Sequence, residues 1–133
     1  MIKWDDKFSV NVSIIDEEHK KLIDIINEAI LAKQYNNNQR SISEILVEMT
    51  VYAKKHFKTE ETYMSNFKYH DYKSHKDEHQ DFSENTLGYC KSLMSGNYHI
   101  IEDIIKYLQQ WLVHHVQETD KKYTYCFNKN GLK

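Results

Sequence analysis

Six side chains suited to binding a metal recur at helical spacing along this sequence. His56 and Glu60 stand four residues apart, as do His75 and His79, while His19 and His115 each sit singly on an apolar stripe. A separation of i,i+4 puts two side chains on one helix face about 6 Å apart, where they can share one metal or bridge two. A lone histidine on such a stripe is usually a core residue hydrogen-bonded to a neighbour. Six polar groups converging from four helices would instead need a large buried network in which every member finds a partner. A metal supplies those partners at once.

The donor set narrows the chemistry. A structural zinc site takes four ligands and prefers Cys and His, so six nitrogen and oxygen donors without sulfur are too many for it. Two metals bridged by carboxylate fit the count better, and imidazole with carboxylate suits iron, among others. No Glu stands three residues before any His, so the Glu-x-x-His scheme of ferritin-like di-iron bundles does not apply. The site is histidine-rich.

Helices must position these groups. Ile15, His19, Leu22, Ile26 and Ile30 recur every three or four residues, with Asp16 the expected N-cap and Glu17 and Glu18 near the positive helix end. The run Tyr35-Asn36-Asn37-Asn38-Gln39 ends that pattern, and Ser41-Ile42-Ser43-Glu44 fits a capping box for the next. Ile42, Ile45, Met49, Tyr52, His56, Glu60, Met64 and Phe67 form a second stripe. The third carries Tyr72, His75, His79, Phe82, Thr86, Tyr89 and Leu93, and Ser95-Gly96-Asn97 turns the chain. Ile101, Ile104, Leu108, Trp111 and His115 make the fourth, before a polar tail from about Lys121. The expectation is an all-α, up-down-up-down antiparallel four-helix bundle, one domain over 1–133, with helices at about 16–36, 41–66, 70–94 and 98–118 behind an N-terminal arm.

Composition agrees with this reading and removes others. There is no proline and only three glycines in 133 residues, too few for the many turns of a sheet protein. A net charge of -2 lacks the dominant basic face that nucleic acid or an anionic membrane would require. No apolar window reaches the roughly 20 residues of a membrane span. Without an export signal, Cys90 and Cys126 read as free thiols in a reducing cytoplasm.

Ile15-Asp16-x-x-His19, His56-Phe57-x-x-Glu60-Glu61-x-x-Met64, His75-x-x-Glu78-His79 and Trp111-Leu112-x-x-His115-x-x-x-x-Asp120 resemble the motifs of the hemerythrin family. The resemblance covers nearly the whole chain, and the opening Trp4-Asp5 and closing Asp120-Lys121-Lys122-Tyr123 are similar to those of single-domain bacterial hemerythrins. It implies two iron ions with an oxo or hydroxo bridge. His75, His79 and His115 would hold one iron and His19 and His56 the other, with Glu60 and Asp120 bridging both. Dioxygen would bind end-on at the iron with two histidines, become a hydroperoxide as both irons are oxidised, and leave by the reverse steps. Leu22, Phe57, Trp111, Leu112 and Val116 would line its pocket, although ordinary core packing accounts for the same residues. Spacing alone misses Asp120: five residues past His115 is about 500° around an α-helix, well off the stripe.

The expected function is reversible dioxygen binding for carriage, storage or delivery, and not an enzyme activity. The alternatives are a di-iron oxidase or peroxidase, or a sensor or scavenger of O2, NO or iron. Dioxygen is the expected partner, with an electron donor or O2-consuming enzyme beside it and no nucleic acid or membrane, for a monomer or weak oligomer. His70, which stands where the relatives usually carry proline, is expected at the surface with His99, and His114 is expected to face solvent or to support a ligand from outside rather than to be one. Cys90 reads as a small core filler, Cys126 as part of the tail, Glu61 as a solvated acid, and most of the ten tyrosines as half-buried packing.

Overall fold

Apolar stripes at helical period need a partner for each stripe, and here four long helices supply them for one another. The computed structural model describes residues 1–36 and 39–133, and the side chains of 1–34 and 42–133. Helix α1 spans Ser13–Leu31 and runs into a π-helical turn, Ala32–Asn36; α2 spans Gln39–Asn66 and α3 Tyr72–Met94. A 3-10 turn at Tyr98–Ile100 leads into α4, Ile101–His114, which continues as a π-helical turn, His115–Thr119, a 3-10 turn, Asp120–Tyr123, and a short α5, Thr124–Lys129. Helix α2 packs on α1 and α3, and α1 on α4. Helices α3 and α4 meet through side chains, Phe82 against Trp111 and the Asn85 amide donating to the Tyr107 hydroxyl. The result is an all-α, up-down-up-down bundle; no strand occurs, and no helix is long and apolar enough to cross a membrane, among the described residues.

A polar layer divides the core into two parts. Ile15, Met64, Tyr69, Tyr123 and Phe127 pack together at one end with Val10 and Val12. Leu22, Ala53, Phe57, Phe82, Leu112 and Val116 belong to the larger cluster at the other. Helices α1, α2 and α3 cross from one cluster to the other, α4 reaches the smaller one through the turns that continue it, and the candidate ligands lie at the crossing.

Three expectations need correction. Helix α1 begins at Ser13, so Asp16 lies inside it and is not the N-cap; Val12 holds that position without a side-chain bond. The Asp16 carboxylate reaches back instead and accepts from the Ser9 hydroxyl at 2.6 Å and the Val10 N–H at 2.9 Å, pinning the N-terminal arm. The tail is not simply polar: Tyr123 and Phe127, one helical turn apart, are fully buried and close the lower cluster. Helix boundaries also move, α3 starting at Tyr72 and α4 at Ile101. Of the Asn-rich run at 35–39, residues 37 and 38 lie outside the described residues, as do the side chains of 35–41, that of Ser41 in the expected capping box among them.

The turn after α3 is a Schellman motif that needs a left-handed residue. The Gly96 N–H bonds to the Leu93 carbonyl and the Asn97 N–H to the Ser92 carbonyl, both at 3.0 Å, with Gly96 at φ 91. Phe127→Ala should destabilise the protein by about 3–5 kcal/mol in urea unfolding, because it empties a fully buried site. Leu87→Ala on the exposed face of α3 should stay within about 0.5 kcal/mol.

Candidate metal centre

The bundle brings every sequence-identified ligand to one height. His19 on α1, His56 and Glu60 on α2, His75 and His79 on α3, and His115 and Asp120 beyond α4 are all buried. They fall into two overlapping groups: Glu60, His75, His79, His115 and Asp120, and His19, His56, Glu60 and Asp120. Within each group one donor atom per residue lies within 4.8 Å of the others. Both carboxylates belong to both groups, which is the placement a bridging ligand requires.

Asp120 enters because the helix changes its winding. His115–Thr119 is a π-helical turn, and the Asp120 N–H bonds to the His115 carbonyl five residues back. In that winding residues five apart stack nearly above one another, so Asp120 returns to the His115 face. A π turn inside a helix is a recurrent mark of functional positions.

The donors point at shared centres. His75 Nε2 and His115 Nε2 each lie 2.9 Å from Asp120 Oδ1, and His19 Nε2 lies 3.0 Å from Asp120 Oδ2. His56 Nε2 is 3.0 Å and His79 Nε2 3.4 Å from Glu60 Oε1. Despite these distances, Nε2 of His19, His56 and His75, Glu60 Oε1 and both Asp120 oxygens make no hydrogen bond. They are close without being bonded to one another, and within each group the donor atoms cluster within 4.8 Å. The Nε2 atoms of His79 and His115 face each other at 3.1 Å. Octahedral donors at about 2.1 Å from a cation stand about 3.0 Å from their neighbours, which is the spacing seen here. The residues fit metal coordination, and a cation would relieve the cost of burying these orphaned groups.

An outer ring of acids orients the imidazoles. His56 Nδ1 lies 2.7 Å from Glu18, His79 Nδ1 2.8 Å from Glu61, and His115 Nδ1 3.0 Å from Glu78. With Nδ1–H held by a carboxylate, Nε2 is left free to coordinate. Glu61 is therefore not simply a solvated acid: rotated away from Glu60 on α2, it faces His79 on α3. Glu18, Glu61 and Glu78 adjoin the candidate ligands His19, Glu60 and His79 in sequence, and an acid beside these three was the available signal. Tyr123, from the supposed tail, donates its hydroxyl to Glu60 Oε2 and stacks on His75 at 5.5 Å.

Above the layer the wall is apolar. Phe57 stacks on His79 at 3.9 Å and Trp111 on His115 at 4.3 Å, while Leu22, Leu112 and Val116 are buried in the same cluster. The other histidines lie apart. His70 pairs with Asp71 at 3.3 Å and His114 with Glu118 at 2.8 Å, both exposed, and His99 is exposed as well. Cys90 and Cys126 are free and half-buried.

Set against one another, the groups hold opposite charges. Burial alone would lower His56, but Glu60, Glu18 and Asp120 raise it to about 10; burial would likewise lower His115, but Asp120, Glu78 and Glu60 raise it to about 9. Asp120 would be raised by burial, yet His115, His19 and His75 hold it well below the usual carboxylate range. The hydrogen bond from His115 takes Glu78 down to about 2. Burial, then Glu60 and Asp120, keep the Tyr123 phenol protonated far above its ordinary value.

Known proteins resemble this chain over nearly its whole length. The family model described as hemerythrin HHE cation binding domain matches residues 10–125. A bacteriohemerythrin of Clostridium acetobutylicum is 30% identical over 127 residues, covering 92% of this chain and 98% of its own. A myohemerythrin of Theromyzon tessulatum is 36% identical over 121 residues, covering 91% and 89%. The crystal structure of a wild-type hemerythrin aligns with a TM-score of 0.88 at 29% identity, covering 95% of this chain and 97% of that one.

Two outcomes follow for the metal-free protein and its loading. A histidine raised in the fold stabilises fully below its unfolded value of 6.5 and loses that contribution as pH rises; an acid lowered in the fold stabilises above 4.5 and loses it as pH falls. The urea midpoint of the metal-free chain should therefore plateau between those values, declining toward about 10 on one side and about 2 on the other. A midpoint flat above the plateau would mean that the buried imidazoles are neutral. Separately, Glu18→Gln should weaken metal affinity roughly 10- to 100-fold in chelator competition while the helical circular dichroism stays unchanged.

Proposed function

The chain belongs to the hemerythrin family, and from that premise we propose that it binds dioxygen reversibly at a centre of two iron ions. His75, His79 and His115 would hold one iron, His19 and His56 the other, and Glu60 and Asp120 both. The observation that carries the reading is the inequality of the two donor groups, three histidines in one and two in the other around the same two carboxylates. The group with fewer protein donors has room for an external ligand. When bound, the ferrous pair supplies the electrons that let dioxygen be held and given back.

The chain's own residues govern what happens next. Glu18, Glu61 and Glu78 fix the imidazole orientations, so each Nε2 stays aimed at the centre. Tyr123 keeps its proton on the hydroxyl that holds Glu60, at the end opposite the apolar wall. Phe57, Trp111, Leu22, Leu112 and Val116 exclude water and reductants from the other side. Five neutral imidazoles and two carboxylates donate less negative charge than a carboxylate-rich cage, which disfavours high-valent iron and favours binding over oxidation. We read the protein as a binder and not an enzyme on this ground.

Protein reconstituted anaerobically with ferrous iron should take up two irons per chain. It should gain an oxygen-dependent charge-transfer band in air and lose it on purging with argon. His19→Ala and His56→Ala should abolish the band while the bundle stays folded, and intact O2 binding in both would overturn the assignment of the open iron. Irreversible conversion to a diferric spectrum would point instead to oxidase or peroxidase chemistry.

A further inference from the structure

We propose that the groove between α2 and α3 is the docking surface for an acidic electron-carrier protein, which returns electrons to the metal centre at His79. The inference rests on the dioxygen-binding reading for its purpose, and on surface residues outside the ligand set for its place.

A centre that holds dioxygen by lending it electrons stops working when those electrons are lost, and only an outside reductant restores them. None of the seven candidate ligands is more than 2% exposed, so a diffusing reductant does not reach them. Electrons must instead cross the protein shell, and their passage slows steeply with distance. A groove of about 340 Å3 between α2 and α3 makes that crossing short. His79 and Phe57, stacked on each other at 3.9 Å, form part of its wall. The grooves along α4, at the lower end of the bundle and between α1 and α2 contain no candidate ligand.

The charge of the groove selects the partner. Lys54 and Lys58 line it from α2 and Lys76 from α3, against one acid, Glu61, whose carboxylate is already engaged by His79 Nδ1. All three lysines are exposed, and none forms an ion pair among the described residues, the Lys76 ammonium lying 5.7 Å from the centre of the Tyr72 ring. In a chain of net charge -2 this cluster is a local excess of the opposite sign, which draws in an acidic surface.

Helical register makes the face larger than a small anion would use. Val47, Val51, Lys54 and Lys58 on α2, and Lys76, Gln80, Ser83 and Leu87 on α3, each repeat at intervals of four, three and four, so each set is one stripe. The two stripes flank the groove. Val47, Val51 and Leu87 are 52%, 66% and 51% exposed, large values for apolar side chains. An apolar patch continuous with a cationic one suits a protein surface, whereas a small anion needs the lysines alone. Two reduced carriers, each with a flavin or iron–sulfur group, would dock in turn. Each carrier loses one electron and each ferric ion gains one, with no covalent bond to this chain formed or broken.

Reduced flavodoxin with an acidic face serves as the probe, and ascorbate as the small anionic comparison. Carbodiimide cross-linking of the iron-loaded protein to flavodoxin should join Lys54, Lys58 or Lys76 to the probe at low salt and lose those links at high salt. Links confined to other lysines would overturn the docking surface. In stopped-flow mixing with the diferric protein, the triple variant Lys54→Gln, Lys58→Gln, Lys76→Gln should slow reduction by flavodoxin at least about tenfold at low salt. The wild-type rate should fall toward the variant's as salt rises from about 0.01 M to about 1 M. Lys21→Gln, Lys106→Gln, Lys129→Gln, the same charge change on other exposed faces, should stay within about twofold of wild type. Equal slowing in both triple variants would reduce the effect to net charge, and equal slowing of ascorbate by the groove variant would make the groove a small-anion site; either would overturn the proposal. Cross-links in the groove and rapid reduction in a protein that shows no oxygen-dependent band would instead be the failure of the function reading, with the docking surface intact.

Discussion

Seven buried polar side chains aimed at shared points between them are the constraint around which this bundle is organised. Taken alone, the layer of His19, His56, Glu60, His75, His79, His115 and Asp120 is expensive: it cuts an apolar core in two and leaves several nitrogen and oxygen atoms without hydrogen bonds. Evenly spaced donors with unsatisfied directions are what a bound cation requires, since coordination replaces every missing partner at once. The apolar clusters on either side fix the helices that carry the donors. The stability of the fold and the geometry of the centre are therefore the same problem solved in adjacent layers.

Much of this was legible because helices advertise their buried faces. The i,i+4 pairs His56/Glu60 and His75/His79 and the single histidines on apolar stripes are found at one height of the bundle. What sequence spacing misses are the places where the chain stops obeying one period. Asp120 is off the α-helical stripe and on the π-helical one, and nothing in a run of His-Val-Gln-Glu-Thr announces that change. Asp16 looked like a helix start because an acid at the positive end is the commonest reason for one there. Its carboxylate instead satisfies two donors of the arm, an outcome that depends on where the arm folds back. The Tyr123 and Phe127 pair was visible in principle as an i,i+4 repeat among lysines, but two aromatic residues in a short polar segment are a weak stripe until something is known to cover them.

The outer ring shows a different kind of concealment. Glu18, Glu61 and Glu78 stand next to ligands or to one another's partners in sequence, and adjacent residues on a helix point about 100° apart. Each therefore faces the neighbouring helix and not its own neighbour's metal. Glu18 of α1 serves His56 of α2, Glu61 of α2 serves His79 of α3, and Glu78 of α3 serves His115 beyond α4. The acids thus link each helix to the next around the bundle. Loss of one would loosen both an imidazole and a helix–helix contact, which is why such residues tune a site without touching the metal.

The two faces of the polar layer differ in one property that matters for a reversible binder, the supply of protons. The lower face carries the Tyr123 hydroxyl, with its proton committed to Glu60. The upper face is aliphatic and aromatic, and the buried hydroxyl of Thr86 on that side is given to the Phe82 and Ser83 carbonyls of its own helix. A protein that returns dioxygen unchanged has to withhold protons from it while it is bound, because proton delivery is the step that commits reduced oxygen to leave in another form. The wall above the polar layer meets that demand by composition: Leu22, Phe57, Leu112 and Val116 carry no group able to donate a proton. The side chains that keep water from the centre on that side therefore also withhold protons from whatever is bound there.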